Sequence, residues 1–217
     1  LIMKSSVLYH GLKVIEHIYD ESQYGFNNDL YRIKDLRHSL DANHWKSKEW
    51  LARTFKPIYE DVYGNGGGNF YIAGGWYGLL ADILKDYFPE DNYHILSADM
   101  DPMSDYYGEL LFPERKFEFK VEDATGELDL SNVTALISTS VEHIDRDDIC
   151  DLIRKKPENA FVVLQSNNYG DLDSHINCSP SLEEFVDWVR PCLSKGWICY
   201  QGALDLGDFV RYMVIAQ

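Results

Sequence analysis

Cysteine is scarce in this sequence of 217 residues, and no two cysteines stand at the spacing of a CxxC pair. The four cysteines are Cys150, Cys178, Cys192 and Cys199. Cysteines spread this thinly through a mid-sized chain are typical of free thiols in a reducing compartment, or of small apolar side chains in a core. We therefore expect four free thiols and a cytoplasmic location.

Long apolar runs are missing too. No segment approaches the roughly 18 consecutive apolar residues of a membrane span, so no membrane association is expected. Residues 1–6 lack the long apolar stretch of a secretory signal.

Positive charge is limited as well. Lys and Arg total 20 against 36 Asp and Glu, which gives a net charge of −16. A surface this acidic opposes binding to phosphate backbones, and no basic run interrupts it, so bulk nucleic acid is not an expected partner. The sequence does not indicate an oligomeric state.

The chain divides into two parts. Residues 1–66 are expected to form a mostly helical extension or lid, because residues 12–18 and 50–59 space their apolar side chains as helices do. Pro57 is expected to kink or end the second of these helices. The glycine-rich stretch 64–68 reads as a break, and residues 67–217 form the second part.

Short apolar runs alternate with helical stretches from Asn69 onward. The strand candidates are Phe70–Ala73, Tyr93–Ala98, Lys116–Val121, Ala135–Thr139, Ala160–Gln165, Trp197–Ala203 and Phe209–Ala216. Helices are expected over Tyr77–Phe88 and from about Ser181, which forms a capping box with Glu184. Alternating strands and helices predict a mostly parallel sheet. The last two strands are too close in sequence for a helical crossover and should pair antiparallel.

Glycines and acidic residues follow the first three strands. Gly74, Gly75 and Gly78 come directly after the first strand, where glycine lets the backbone approach a ligand. Asp99 ends the second strand, 25 residues beyond Gly74, near the offset at which an acidic residue binds ribose hydroxyls. Asp123 follows the third strand, where it would bind an adenine amine or form a turn.

These motifs resemble those of the class I S-adenosylmethionine-dependent methyltransferases from about residue 69 to the end of the chain. The matching pieces are AGGWYG, ADMDP, EDA and the strand pair after LEEFVDWVRPCL. The resemblance implies an α/β fold: a three-layer Rossmann-like sheet, mostly parallel with an antiparallel terminal strand, plus the N-terminal helical extension. It also implies S-adenosylmethionine as the cofactor. The residues that it implies for cofactor binding are Ala73, Gly74, Gly75, Gly78, Asp99, Met100, Asp101, Asp123, Ala124, Ser138 and Thr139. Asp99 would hold the ribose, with Asp101 as the alternative, while Met100 and Asp123 would contact adenine.

Polar side chains follow the fourth and fifth strands, which should flank the acceptor end of the same cleft. Glu142 and His143 are the candidate catalytic residues, because methyl transfer often needs a base to take a proton from the acceptor. The candidate substrate-binding residues are Ser140, Gln165, Asn167, Asn168 and His175. The alternatives are that Ser140 caps a helix and that the asparagines form turns. His175 and Cys178 have a metal-ligand spacing but lack a second pair, so no metal is expected.

The resemblance implies a methyltransferase that acts on a small molecule or a specific polypeptide. Bulky Trp76 and Tyr77 depart from the glycine pattern of the family and favour an alternative, a catalytically inactive binding or interaction protein. A nicotinamide-dependent oxidoreductase also fits the glycine turn, but the antiparallel terminal strands argue against it. Tyr24, Phe26, Tyr31 and Arg32 are the lid candidates.

Overall fold

The computed structural model describes residues 5–23, 30–193 and 196–217. Its helices are α1 (Ser5–Gln23), α2 (Leu30–Ser39), α3 (Ala42–Tyr63), α4 (Leu79–Tyr87), α5 (Pro102–Leu111), α6 (Arg146–Lys155) and α7 (Leu182–Val189). Its strands are β1 (Gly68–Ala73), β2 (Tyr93–Asp99), β3 (Glu118–Val121), β4 (Ala135–Ser138), β5 (Phe161–Asn167), β6 (Ile198–Asp205) and β7 (Val210–Ala216). Short 3₁₀ turns cover Val141–His143 and Arg190–Leu193. Within the described ranges, no helix combines the length and the apolar character needed to cross a membrane.

The seven strands form one sheet in the order β3-β2-β1-β4-β5-β7-β6. Strands β1 to β5 are parallel, and β7 lies antiparallel between β5 and β6. All seven observed strands begin and end within two residues of their predicted bounds. The predicted fold class, with its antiparallel terminal strand and its N-terminal helices, is confirmed.

Helices cover both faces of the sheet, which makes three layers. On one face, α1 to α5 enclose an aromatic core in which Phe55 and Tyr59 of α3 pack on Phe70 of β1 at ring distances of 5.8 and 5.0 Å. On the other face, α6 and α7 bury Ile153 and Phe185 against the strands. The N-terminal helices therefore share the first core with the sheet.

The N-terminal helices differ from the sequence-based prediction in two ways. Helix α3 does not end at Pro57 but continues to Tyr63. Phe55 and Tyr59 are fully buried on either side of the proline, and this packing holds the helix together where one backbone hydrogen bond is missing. Helix α2 was not predicted, because its mostly polar residues show only a weak helical period.

The prediction of four free thiols is wrong for one pair. Cys150 of α6 and Cys192 of the 3₁₀ turn after α7 form a disulfide, and their Cα atoms lie 4.8 Å apart. The two residues are 42 positions apart in the sequence, so only the packing of α6 beside this turn brings them together. Cys178 and Cys199 are free.

Candidate functional site

A cleft of about 1080 Å³ opens beyond the carboxyl ends of the parallel strands. Residues from the loops after β1 to β5 line it, together with residues of α2 and α3. The strand order reverses between β1 and β4, and open α/β sheets bind their ligands at such a reversal. The cleft is therefore the candidate functional site.

The three glycines of the loop after β1 have different surroundings. Gly74, with a φ of +67°, lines the cleft. Gly75 packs against β2, where an added Cβ would come within 2.1 Å of the Ser97 hydroxyl oxygen. Gly78 precedes α4 with a φ of +82°, and an added Cβ would lie 2.5 Å from the Phe119 ring. Gly74 is thus the glycine that faces the cleft, and the other two let the chain pack closely on the sheet and on Phe119.

Trp76 connects the glycine loop to helix α2. Its φ of +51° is in the left-handed region, which is unfavourable for a residue with a Cβ. Its indole Nε1 donates a hydrogen bond to Asp35 Oδ2 at 3.1 Å, and the Tyr77 hydroxyl donates to the same oxygen at 2.7 Å. Burial and the Asp35 carboxylate raise the pKa of Tyr77. The two bulky residues therefore anchor the N-terminal part of the chain to this loop.

Asp99 and Asp101 were alternatives for ribose binding, and only Asp99 lines the cleft. Asp99 accepts hydrogen bonds from the backbone N–H groups of Trp76 and Asp101, at 2.9 and 3.0 Å. Burial raises the pKa of Asp99. Asp101 instead caps α5 through the backbone N–H of Met103, and its carboxylate is held by Arg32 of α2. Both carboxylate oxygens of Asp101 therefore already accept hydrogen bonds from Arg32 or from the backbone of Met103.

The residues predicted to contact adenine line the cleft as well. Met100 is 70% exposed, and it lines the cleft with Asp123 and Ala124. Asp123 also accepts hydrogen bonds from the backbone and hydroxyl of Thr125, which lower its pKa, so it forms the turn that was its alternative role. Glu122 lines the cleft as well, although the sequence reasoning did not single it out.

Several predicted site residues do not line the cleft. They are Ala73, Gly75, Gly78, Asp101, Ser138, Gln165 and Asn168. Gln165 is fully buried, and its amide donates a hydrogen bond to the backbone carbonyl of Ser47 at 3.0 Å, on the α3 side of the sheet. Asn168 accepts a hydrogen bond from the backbone N–H of Val210 at 2.8 Å, which joins the ends of β5 and β7.

Thr139 and Ser140 follow β4 and line the cleft. The Ser140 hydroxyl lies 3.4 Å from the carbonyl oxygen of Gly74 and makes no helix-capping hydrogen bond. Ser140 therefore occupies the N-cap position of the 3₁₀ turn Val141–His143, as its alternative role predicted, but its side chain does not cap the turn. Helix α6 is capped instead by Asp145, whose side chain accepts a hydrogen bond from the backbone of Asp147.

Glu142 is the central group of the cleft end that is formed by the loops after β4 and β5. Its side chain is buried, and its Oε1 atom accepts hydrogen bonds from Asn167 Nδ2 at 2.6 Å and Arg211 Nη1 at 2.8 Å. Arg211 lies directly opposite Asn167 in the antiparallel pairing of β5 and β7. Oε2 of Glu142 has no hydrogen-bond partner within the described part of the chain.

Two histidines complete this end of the cleft. The rings of His143 and His175 are nearly perpendicular, and their centroids are 4.6 Å apart. Nδ1 of His143 lies 3.0 Å from the carbonyl oxygen of Ser174, and Nδ1 of His175 faces that of Tyr169. One donor atom from each of Glu142, His143 and His175 lies within 4.8 Å of the other two, a spacing that could hold a metal ion.

The sequence reasoning missed several basic groups of the cleft, among them His44, Lys48 and Arg211. Burial lowers the pKa of His44, and burial with the nearby charge of Arg211 lowers that of Lys48 to about 8. A signal for Arg211 was present, because it is the one charged residue in the otherwise apolar strand VRYMVIA. Of the lid candidates, Tyr31 lines the cleft and Arg32 holds Asp101, whereas Tyr24 and Phe26 lie outside the described residues.

No family model and no curated protein sequence matches the chain. Solved structures do match it. Magnesium protoporphyrin IX methyltransferase from Synechocystis PCC 6803, with bound SAM, is 11% identical; the match covers 95% of this chain and 96% of that one, with a TM-score of 0.60. The methyltransferase domain of bacterial CtHen1-C is 14% identical over 79% of this chain and 97% of that one, with a TM-score of 0.59.

The chain has the class I methyltransferase fold. A third similar structure is geranyl diphosphate C-methyltransferase from Streptomyces coelicolor A3(2), in complex with Mg²⁺, geranyl diphosphate and S-adenosyl-L-homocysteine. It is 14% identical over 76% of this chain and 77% of that one, with a TM-score of 0.55. At 11 to 14% identity, these likenesses show the fold of the chain alone.

Proposed function

We propose that the protein is an S-adenosylmethionine-dependent methyltransferase that acts on a small molecule or a specific polypeptide. The observation that carries the proposal is the position of Gly74 and Asp99 in this fold. Gly74 follows β1, which borders the reversal of strand order, Asp99 ends the neighbouring strand β2, and both residues line the cleft. A bare backbone turn beside a carboxylate suits a ligand that presents ribose hydroxyls.

The cleft residues fit the methyl donor in two further respects. Each Asp99 oxygen accepts one backbone N–H, and since a carboxylate has about four lone-pair sites, acceptor capacity remains for ribose hydroxyls. Among the residues that the structure describes, nine Asp or Glu line the cleft against three Lys or Arg, which favours a ligand with positive charge. S-adenosylmethionine, when bound, supplies an electrophilic methyl group on a positively charged sulfur.

The other end of the cleft would hold the acceptor. Since a carbonyl oxygen only accepts hydrogen bonds, Nδ1 of His143 carries the proton toward Ser174, and its Nε2 is the nitrogen left to take a proton from the acceptor. Glu142 is fixed by Arg211 and Asn167 and would orient the acceptor. The other proposed contacts of the acceptor are Ser140, Asn167 and His175. The excess of carboxylates disfavours polyphosphate acceptors.

Substitution of Asp99 tests this proposal. We expect Asp99→Ala to weaken the binding of S-adenosylhomocysteine by roughly tenfold or more, because hydrogen bonds to a charged group contribute about 1.5–3 kcal/mol. The matched control is Asp91→Ala, whose side chain is 95% exposed and lies outside the cleft. Equal binding by Asp99→Ala and the native protein, measured by calorimetry, would show that the ribose is not held there.

A second candidate is a binding protein with the same pocket and no turnover. Trp76 favours it, because a bulky residue with a positive φ stands in the glycine loop and connects it to α2. Incubation with methyl-labelled S-adenosylmethionine and fractionated metabolites or polypeptides separates the two candidates. Labelled product that disappears in His143→Ala, while the variant still binds S-adenosylhomocysteine, supports catalysis. Binding without labelled product from any fraction supports the second candidate.

A further inference from the structure

We propose that Glu142, His143 and His175 bind a divalent first-row transition-metal ion at the acceptor end of the cleft. One donor atom of each lies within 4.8 Å of the other two. Glu142 and His143 belong to the turn after β4, and His175 lies in the loop after β5. Because β4 and β5 are parallel neighbours, their carboxyl ends bring these loops to one place.

The buried carboxylate of Glu142 is the first observation that indicates an ion. The residue is only 3% exposed, and its Oε1 atom already accepts two hydrogen bonds. Oε2 has no partner in the described part of the chain, although a buried unpaired carboxylate oxygen is costly. A cation among the three side chains would bind this oxygen. Asn167 and Arg211 would then act as the outer contacts that hold the ligand in position.

The orientation of the two histidines is the second observation. Nδ1 of His143 faces the Ser174 carbonyl at 3.0 Å, and Nδ1 of His175 faces the Tyr169 carbonyl. Donation from Nδ1 to a carbonyl leaves the lone pair on Nε2, and metal-binding histidines are usually held in this way. Both rings are therefore fixed in the tautomer that offers Nε2 to an ion.

The donor set indicates the class of ion. Two imidazoles and one carboxylate suit zinc, manganese or iron, whereas magnesium and calcium prefer a shell made wholly of oxygen. Three protein ligands leave coordination positions open for water or for a group of the acceptor. The lone Cys178 is not required, because its thiol already contacts the Tyr169 carbonyl and the Asn167 side chain.

A bound ion would change the role of His143 and the acidity of the acceptor at this end of the cleft. It would lower the pKa of a hydroxyl or similar acceptor group that binds to it, so that His143 would act as a ligand rather than as a free base. Ion binding does not depend on the methyl donor, and its test needs no methylation assay. A chain that binds no metal ion could therefore still transfer methyl groups. A chain that transfers no methyl group could still bind the ion.

The direct test is calorimetric titration of the full chain, produced without a polyhistidine tag and stripped with a chelator, with Mn²⁺, Zn²⁺ and Mg²⁺. We expect one Mn²⁺ or Zn²⁺ per chain and weaker binding of Mg²⁺. His175→Ala should bind Mn²⁺ at least about tenfold more weakly, since even outer contacts of a metal site contribute 10- to 100-fold in affinity. His175 is only partly buried, so this variant should remain folded, unlike changes at buried Glu142.

Two variants serve as controls. His94→Ala removes an exposed histidine of β2 that lies outside the cleft, and Cys178→Ser removes the thiol next to His175; both should bind Mn²⁺ as the native chain does. A native chain that binds neither Mn²⁺ nor Zn²⁺ overturns the proposal. So does native-like binding by His175→Ala, loss of binding in either control, or Mg²⁺ binding as tight as that of Mn²⁺.

Discussion

Arg211 of β7 donates a hydrogen bond to Glu142 across 2.8 Å, and the two side chains are only 6% and 4% exposed. The antiparallel insertion of β7 beside β5 creates this contact, because it sets Arg211 opposite Asn167, the other residue that binds Glu142. The strand that distinguishes this fold from plain dinucleotide-binding domains therefore also shapes the end of the cleft that holds Glu142.

Removal of Arg211 should be strongly destabilising. Arg211→Met leaves the buried Glu142 carboxylate without its counter-charge, and we expect the free energy of unfolding to fall by about 3–5 kcal/mol. The matched control is Arg154→Met, which breaks the Arg154–Asp151 contact at 2.6 Å on the surface, where both side chains are more than half exposed. It should cost less than about 1 kcal/mol. Equal losses in urea unfolding would contradict a buried and energetically important pair.

Lys48 should make the stability depend on pH. Burial and the charge of Arg211 lower its pKa from 10.5 to about 8 in the folded chain. Between these values the unfolded chain binds a proton that the folded chain does not, so the free energy of unfolding rises with pH. The contribution of Lys48 should increase by on the order of 3 kcal/mol from pH 8 to pH 10.5.

The difference in the free energy of unfolding between the native protein and Lys48→Met isolates the contribution of Lys48 from those of other groups, such as tyrosines with raised pKa values. We expect the native protein to gain stability relative to Lys48→Met as the pH rises from 8 to 10.5. Lys46→Met, which changes an exposed lysine of the same helix, should show no such trend. A flat difference for Lys48→Met across this range would contradict a buried, destabilised ammonium group.

A comparison of alanine variants at Gly78 and Gly207 distinguishes the effect of backbone strain from that of steric collision. Both have a positive φ, of +82° and +93°, but an added Cβ meets the Phe119 ring at 2.5 Å only at Gly78. Gly207→Ala should lower the free energy of unfolding by about 1 kcal/mol through strain alone. Gly78→Ala should lower it by roughly 3 kcal/mol, because the collision adds to the strain. Similar losses in thermal unfolding would show that the Phe119 ring moves away freely.

Most of the sheet could be predicted from the sequence, since buried parallel strands appear as short apolar runs between helical stretches. The run Ala160–Gln165, for example, corresponds closely to β5 (Phe161–Asn167). Local signals also placed α7, whose cap Ser181 accepts a hydrogen bond from the backbone of Glu184 at 3.2 Å. Helix α2 gave no such signal, because its contacts with the glycine loop depend on tertiary structure.

The site was less predictable because its contacts are long-range. Glycine spacing did not distinguish Gly74, which lines the cleft, from Gly75, whose position is set by Ser97 on the next strand. Likewise, Arg211 reaches Glu142 from 69 residues away, through a strand register that no local pattern specifies. The Cys150–Cys192 disulfide was missed for the same reason, because it joins residues that are 42 positions apart in the sequence.

The central claim is that this cleft binds an adenosyl methyl donor, and calorimetric titration tests it most directly. The purified chain would be titrated with S-adenosylmethionine, with S-adenosylhomocysteine and with a nicotinamide dinucleotide. We predict that both adenosyl ligands bind at one site per chain and that the dinucleotide does not. Binding of the dinucleotide alone, or of none of the three, would contradict the account.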